Sequence, residues 1–114
     1  MKNKVQLICY ADRFGGGNIA QLHQFLNTKM QTLFEGGVHL LPFFAPIDGA
    51  DAGYDPTNHR KVDERLGNWD DVAAMAEDFD LLVDLIVNHV SDKSDEFQDV
   101  VKHGMASEYF DLFL

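Results

Sequence analysis

The chain of 114 residues has one cysteine, Cys9, and few basic side chains, with 9 Lys and Arg against 19 Asp and Glu. One cysteine cannot form an internal disulfide, and neither the cysteine nor the histidines show the spacing of a zinc site. We therefore expect no metal and no cofactor. The net charge of −10 argues against nucleic acid or an anionic membrane as partner and is compatible with a neutral ligand.

Long apolar runs are also missing. No stretch approaches the roughly 18 to 20 apolar residues that a membrane span needs. Lys2 and Lys4 are not followed by the apolar segment of a signal peptide, so we expect a cytoplasmic protein. The hydrophobic content of 46% is that of a globular protein, and the length suits about one small domain.

Short apolar runs alternate with helical patterns. We predict buried strands over residues 5–10, 38–44 and 81–87, because each run is apolar and rich in β-branched or aromatic residues. Apolar residues at helical spacing predict helices that begin after good N-cap residues, namely Asn18, Asn68 and Ser94. Such alternation indicates an α/β fold with a parallel sheet covered on both faces.

The boundaries between these elements follow from glycine and proline. We expect Gly36-Gly37 to end the first helix and Gly104 to end the third. A long loop is expected from about Pro46 to Gly67. Three glycines, Gly15–Gly17, precede the first helix without a GxGxxG or P-loop pattern, which favours a flexible connector over a phosphate-binding loop.

The segment Gly49-Ala-Asp-Ala-Gly-Tyr-Asp-Pro56 is the best candidate for a binding loop. Its glycines permit tight turns and a close approach of a ligand to the backbone. Pro56 biases Asp55 towards an extended conformation, so Asp55 is expected in a turn. Asp51 could accept hydrogen bonds from sugar hydroxyls, and the ring of Tyr54 could cover an apolar sugar face.

Polar residues follow each predicted strand. Asp12 and Arg13 follow the first, the loop with Asp51 and Tyr54 follows the second, and Asn88 and His89 follow the third. In a parallel βα fold these loops meet at one end of the sheet, where ligands bind. We therefore expect one binding site there.

Each candidate residue also has a purely structural interpretation. Asp12 and Arg13 could form a surface pair, Asp55 an Asx-turn and Tyr54 a packed loop anchor. Asp84, alone in an apolar strand, must find a partner because an unpaired buried charge is costly, and we interpret it as structural. His89 fits a satisfied core histidine or a ligand contact equally well. His59 and His103 are expected to be solvated.

Several segments together resemble the sucrose phosphorylases of the α-amylase clan. The segment Asp84-Leu-Ile-Val-Asn88-His89 is similar to a signature of that clan. The binding-loop segment Gly49–Pro56 and Val62-Asp-Glu-Arg-Leu-Gly-Asn-Trp-Asp-Asp71 resemble this family more specifically, as do residues 6–13 and 38–44. Tyr54 stands where phenylalanine is common among close relatives, which preserves a ring.

The resemblance implies a fold and an activity. The fold would be the N-terminal part of a (β/α)8 TIM barrel, about three βα units of it, with residues 1–114 in the catalytic domain and an insertion beginning near 90–114. The activity would be glucosyl transfer from sucrose to inorganic phosphate with retention. Asp51 would bind the outer hydroxyls of the glucose, Tyr54 would lie beneath its ring and His89 would contact its 6-hydroxyl. Asp84, Asn88 and Asp55 would support them, and the full-length form could be a homodimer.

No residue here matches the catalytic nucleophile or acid/base of that family, which the resemblance places beyond Leu114. A complete barrel takes typically about 250 residues, and three strands would leave sheet edges and apolar surface exposed. We therefore expect a truncated chain that is inactive alone.

Other functions remain open from the sequence. The same scaffold supports phosphorolysis of sucrose 6-phosphate or glucosylglycerol and hydrolysis of α-glucosides. Relatives that favour phosphorylated sucrose tend to carry a Gly-Asp-Arg-Gly-type loop, and Gly49–Gly53 lacks that arginine. An alternative of another class is a small α/β sugar-binding module without catalysis.

Overall fold

A parallel sheet of three short strands, covered on one side by two helices, forms the centre of the protein. The structure is a computed structural model that describes residues 3–30, 32–48, 50 and 52–113. The strands are β1 (Leu7–Cys9), β2 (Val38–Leu40), β3 (Phe44–Pro46), β4 (Pro56–Val62) and β5 (Leu81–Val83). The helices are α1 (Ile19–Lys29), α2 (Trp69–Asp78) and α3 (Asp95–His103), followed by 3₁₀ turns over Gly104–Ala106 and Phe110–Leu112.

The sheet order is β1-β2-β5, with both pairs parallel, as the sequence predicted. Leu7, Val38 and Leu81 lie side by side, and the next row is Ile8, His39 and Leu82. Since side chains alternate between the faces of a sheet, these two rows point to opposite sides. The first row packs with the helices in the core.

The core lies between the sheet and the helices α1 and α2. Its fully buried members come from one face of each helix and from β2, because apolar residues at helical spacing place their side chains on one side. They are Ile19, Leu22, Leu26, Val38, Leu40 and Met75. The predicted N-caps of these helices are confirmed, because Asn18 Oδ1 accepts from Gln21 N at 2.8 Å and Asn68 Oδ1 from Asp70 N at 2.8 Å.

The second face of the sheet is not covered, so the prediction that each strand is buried was wrong. On this face Ile8 in β1 is 61% exposed. Leu85 and Val87, which follow the end of β5, are exposed as well, at 69% and 81%. The expectation that apolar surface would be open is confirmed by these residues. All three observed strands are also shorter than the apolar runs that predicted them.

The predicted loop over residues 46–67 contains a strand. Residues 56–62 form β4, which pairs antiparallel with β3 through an irregular register, Phe44 opposite Val62 and Ala45 opposite Asn58. Phe44 and Val62 are buried at this junction. The strand β4 was not predicted, because its side chains are mostly polar and the strand predictions were based on apolar runs.

The first helix ends earlier than predicted. The glycines at 36 and 37 follow a turn and not the helix, because α1 ends at Lys29 with Met30 as its C-cap. Gly37 has φ of +109° and lies so close to Asp80 O that a Cβ would meet it at 2.2 Å. Both glycines therefore belong to the junction at the start of β2 and β5 and not to the end of α1.

The last helix, α3, begins after the predicted cap Ser94, whose Oγ accepts from Phe97 N at 3.2 Å, and Gly104 is its C-cap as predicted. None of its residues is buried. Within the described part of the chain, no helix has both the length and the apolar character needed to cross a membrane.

Candidate functional site

The carboxyl ends of the three parallel strands bring the candidate residues to one end of the sheet. Tyr10 follows β1 directly, and Asp84 follows β5. Each lies two residues beyond a member of the row Ile8, His39 and Leu82, so the alternation of side chains places them on the uncovered face. We call this end of the sheet the rim.

Two loops meet directly at the rim. His89 Nε2 lies 2.5 Å from the carbonyl oxygen of Tyr54, and its Nδ1 lies 3.2 Å from Asn88 Oδ1. Because a carbonyl oxygen only accepts, Nε2 must be the donor. His89 is exposed, so it is not a core histidine. The loop after β5 therefore supports the segment that carries Tyr54.

The phenol of Tyr54 reaches towards the exits of β1 and β5. The pKa of its hydroxyl is raised by partial removal from water, then by the nearby Tyr10 and by the charge of Asp84. The side chain nevertheless remains 43% exposed. The ring of Tyr54 is thus accessible and lies near groups at the ends of β1 and β5.

Asp84 has the partner that its position in an apolar strand required. His39 Nε2 lies 2.9 Å from Asp84 Oδ1, which connects β2 to the end of β5. Both side chains are partly exposed on the uncovered face, at 26% and 32%. The expectation that Asp84 finds a partner is confirmed, and its carboxylate also lies near Tyr54.

The binding-loop segment is described at residues 50 and 52–56, whereas Asp51 lies outside the described residues. Ala52 has φ of +58° and Gly53 of +83°, and a Cβ on Gly53 would meet Pro42 O at 2.7 Å. A left-handed alanine is unfavourable, so contacts from elsewhere must stabilise this conformation. Asp55 lies in a bend before β4, as expected, and is half-buried.

Two further predictions concern the pair Asp12 and Arg13 and the histidines His59 and His103. Asp12 and Arg13 form an exposed pair, with 3.5 Å from Arg13 Nε to Asp12 Oδ1, which confirms the surface interpretation. The prediction that His59 is solvated was wrong. Its Nε2 is buried without a hydrogen-bond partner, and its ring packs 5.8 Å from that of Phe44. His103 is exposed and pairs with Asp99 at 2.9 Å.

Sequence reasoning missed an ion pair beside the loop, formed by a buried aspartate and an exposed arginine. The carboxylate of Asp63, 6% exposed, accepts from Arg65 Nη2 at 2.5 Å and Nε at 3.1 Å. Burial acts to raise the pKa of Asp63, but the hydrogen bonds from Arg65 outweigh it and the pKa is lowered. A buried aspartate two residues before an arginine in the quoted segment 62–71 was the available signal.

Arg65 also forms part of a small cavity at the rim. The cavity has a volume of about 250 Å³ and lies between the loop after β1 and the binding-loop segment, with Tyr10, Ala52 and Gly53 in its walls. The cavity walls hold the phenol of Tyr10 and the charged side chains of Asp12, Arg13, Asp63 and Arg65, groups that can form hydrogen bonds with a polyhydroxylated ligand. Among the described residues, no group of three His, Cys, Asp or Glu side chains could bind a metal ion.

Comparison with known proteins agrees with this architecture. The chain is 56% identical over 114 residues to a sucrose phosphorylase from Bifidobacterium adolescentis and 57% identical to one from Agrobacterium vitis, covering all of this chain and 22% and 23% of those proteins. The crystal structure of sucrose 6F-phosphate phosphorylase from Thermoanaerobacter thermosaccharolyticum matches with a TM-score of 0.88 and 45% identity, over 97% of this chain and 22% of that one.

The chain thus spans about a fifth of the length of these relatives. Its open sheet corresponds to the first part of a (β/α)8 barrel, as the sequence predicted. The profile of the alpha-amylase catalytic domain matches residues 24–114, which is most of the chain. The chain therefore belongs to the alpha-amylase catalytic-domain family.

Proposed function

We propose that the protein to which this chain belongs transfers glucose from sucrose to inorganic phosphate, giving α-glucose 1-phosphate and fructose. The observation that carries the proposal is the identity of 56–57% to two sucrose phosphorylases over all 114 residues. The chain would supply one wall of the glucose site, and the catalytic carboxylates would lie in the part of the relatives that it does not cover.

Retention of configuration requires two displacements through a covalent glucosyl enzyme, with a nucleophilic carboxylate and an acid/base carboxyl about 5 Å apart. We place neither of these two carboxyl groups in this chain. Its contribution would be to orient the glucosyl ring for that chemistry, since positioning of bound reactants lowers the barrier substantially. The 114 residues alone should therefore be inactive.

The proposed contacts to the glucosyl ring come from residues at the rim. The ring of Tyr54 would lie against the apolar face of glucose, and the 6-hydroxyl would replace one of the two oxygen atoms that now face the His89 ring. Asp51, outside the described residues, would bind the outer hydroxyls. Asp84 and Asn88 would maintain the strand end through their contacts with His39 and His89.

A second candidate is phosphorolysis of sucrose 6F-phosphate. It is supported by the 45% identity and TM-score of 0.88 to a phosphorylase of that specificity. The higher identity to sucrose phosphorylases and the absence of an arginine from residues 49–53 favour unphosphorylated sucrose.

A hybrid enzyme tests the proposal. This chain replaces the matching segment of the Bifidobacterium adolescentis sucrose phosphorylase, and release of α-glucose 1-phosphate from sucrose and phosphate is measured. We expect kcat/KM within about tenfold of the parent, and a preference for sucrose over sucrose 6F-phosphate. A folded hybrid without phosphorolysis would contradict the proposal, and the opposite preference would favour the second candidate.

Substitutions in the hybrid test the site. Asp51→Ala and His89→Ala should each lower kcat/KM by about a hundredfold or more with unchanged thermal unfolding, because each removes a proposed contact to the glucosyl ring. The matched controls are Asp95→Ala and His103→Ala on α3, which should retain parental turnover. Near-parental kinetics in both site variants would refute the assignment.

We also propose a cytoplasmic location, a homodimer, and an insertion that begins near residues 90–114. Imaging of a tagged protein and light scattering would test the first two. A structure of the hybrid would test the third.

A further inference from the structure

Arg65 connects a buried carboxylate to the backbone of the binding-loop segment. One edge of its guanidinium binds Asp63, and Nη1 on the same group donates to the carbonyl oxygen of Asp48 at 3.0 Å. Asp63 lies in the turn before α2, whereas Asp48 begins the segment that leads to Tyr54. We call this set of contacts the Arg65 bridge.

The Asp63 side of the bridge is anchored firmly. Asp63 N donates to Phe43 O at 2.8 Å, and Asp63 O accepts from Leu66 N and Gly67 N at 2.8 and 3.1 Å. Leu66 O in turn accepts from Ile19 N, the first residue of α1, at 2.8 Å. The turn is therefore closed by its own backbone bonds and tied by others to Phe43, just before β3, and to the first residue of α1.

The loop side needs such support. Asp48 Oδ1 accepts from Ala50 N at 2.9 Å, and beyond this the chain passes through the left-handed Ala52 and Gly53. A left-handed alanine costs free energy, and the conformation persists only where the surroundings fix it. Tyr54 is fixed at its own carbonyl by His89, so the bridge supplies the corresponding contact at the start of the segment.

We propose that Arg65 is a positioning residue that fixes the backbone at Asp48 relative to the buried turn at Asp63 and thereby sets the place of the Tyr54 ring. The inference rests on the proposed function for its kinetic consequence. Its structural part, the restraint by Arg65 of the described residues 48, 50 and 52–54, does not depend on that function.

The chemistry of the bridge requires arginine. The planar guanidinium presents donors in a fixed fork, so one side chain binds a carboxylate with two groups and a carbonyl with a third. A lysine ammonium is a point charge without this fork. Arg65→Lys therefore retains the charge beside Asp63 and loses the simultaneous contact to Asp48. The side chain is 60% exposed, so this change leaves the core intact.

The test uses the hybrid enzyme with Arg65→Lys and, as matched control, Arg60→Lys on the exposed part of β4. Two quantities are measured, kcat/KM for sucrose and amide hydrogen exchange over residues 48–54 and over α2. We expect Arg65→Lys to lower kcat/KM by about tenfold to a hundredfold, as misplacement of a bound substrate does. Exchange should be faster over 48–54 and unchanged over α2, and Arg60→Lys should change neither.

Parental kinetics together with parental exchange in Arg65→Lys would overturn the proposal. So would faster exchange throughout α2, because that pattern indicates a general structural role of the ion pair. Faster exchange over 48–54 with parental kinetics would refute the link to Tyr54. If the unsubstituted hybrid lacks phosphorolysis, the proposed function fails, and exchange alone then decides whether Arg65 restrains the loop.

Discussion

The two ends of the parallel sheet are built differently. At the amino end the strand junctions are joined mainly backbone to backbone: Leu7 N donates to Gly37 O at 3.1 Å, and Val38 N to Asp80 O at 2.9 Å, with Gln6 Nε2 adding a side-chain bond to Gly36 O at 3.2 Å. At the rim, backbone bonds such as Leu41 N to Cys9 O at 3.0 Å are joined by side chains that reach from one loop to another, such as His89 to Tyr54 O and Arg65 to Asp48 O. Backbone contacts depend on chain geometry, whereas side-chain contacts depend on the residue at each position.

Because of this difference, we expect the amino end to contribute mainly to stability and the rim mainly to the proposed function. A concavity of about 500 Å³ lies at the amino end, twice the volume of the rim cavity, with Glu35, Gly37 and Asp80 in its walls. Its size does not make it the site, because in (β/α)8 enzymes the chemistry lies at the carboxyl ends of the strands. Substitutions at the amino end should therefore lower stability, and those at the rim should lower activity.

The largest expected effect is at the amino end. Gly37→Ala introduces a Cβ 2.2 Å from Asp80 O at a residue with φ of +109°, so the strand junction must move. We expect the free energy of unfolding to fall by about 3 kcal/mol, which urea denaturation would measure.

Gly104→Ala is the control for this effect. Its φ of +57° is also left-handed, but no atom lies within 4 Å of the added Cβ. We expect a loss of about 1 kcal/mol from the backbone conformation alone. Equal losses in the two variants would show that packing at the amino end contributes nothing beyond conformation.

An intermediate effect is expected at the rim and should appear in activity. In the hybrid, Tyr54→Ala should lower kcat/KM for sucrose by about a hundredfold, because the ring that orients glucose is lost. Tyr54→Phe retains the ring and loses only the hydroxyl group, so a change of about threefold is expected. If Tyr54→Phe is as impaired as Tyr54→Ala, the hydroxyl and not the ring is what matters.

The smallest expected effect is a pH dependence at the amino end. Hydrogen bonds from Asn27 and His23 lower the pKa of Asp78, which connects α2 to α1. The resulting stability is present above the unfolded pKa of about 3.9 and is lost as pH falls through the lower folded value. Asp78→Asn should therefore reduce stability at pH 7 and flatten its decline below pH 4.

Urea midpoints between pH 2.5 and 7 would measure this change, with Glu77→Gln on the same helix as control. An Asp78→Asn variant whose stability declines in acid as steeply as the parent would show that this carboxylate does not contribute.

Local patterns sufficed to predict much of the fold. Asn18, Asn68 and Ser94 cap helices as predicted, because capping depends on residues within three positions. The parallel order followed from apolar strands separated by helices. At the site, the rule that loops after parallel strands emerge at one end of the sheet was enough to predict that Tyr54 and His89 lie at the same end.

The remaining features depend on contacts between distant residues. The strand β4 is polar over Thr57–Lys61 and is recognised only by its pairing with β3. The early end of α1 and the packing of Gly37 on Asp80 depend on the neighbouring strand. The Arg65 bridge ends on a backbone carbonyl 17 residues away, which no sequence pattern specifies.

A crystal structure of the hybrid with bound glucose is the most direct test that the rim surrounds one glucosyl ring. The account predicts the Tyr54 ring against a face of the sugar and a His89 nitrogen within about 3.2 Å of one of its hydroxyl oxygens. Glucose bound away from the rim, or in contact with only one of these two residues, would contradict it.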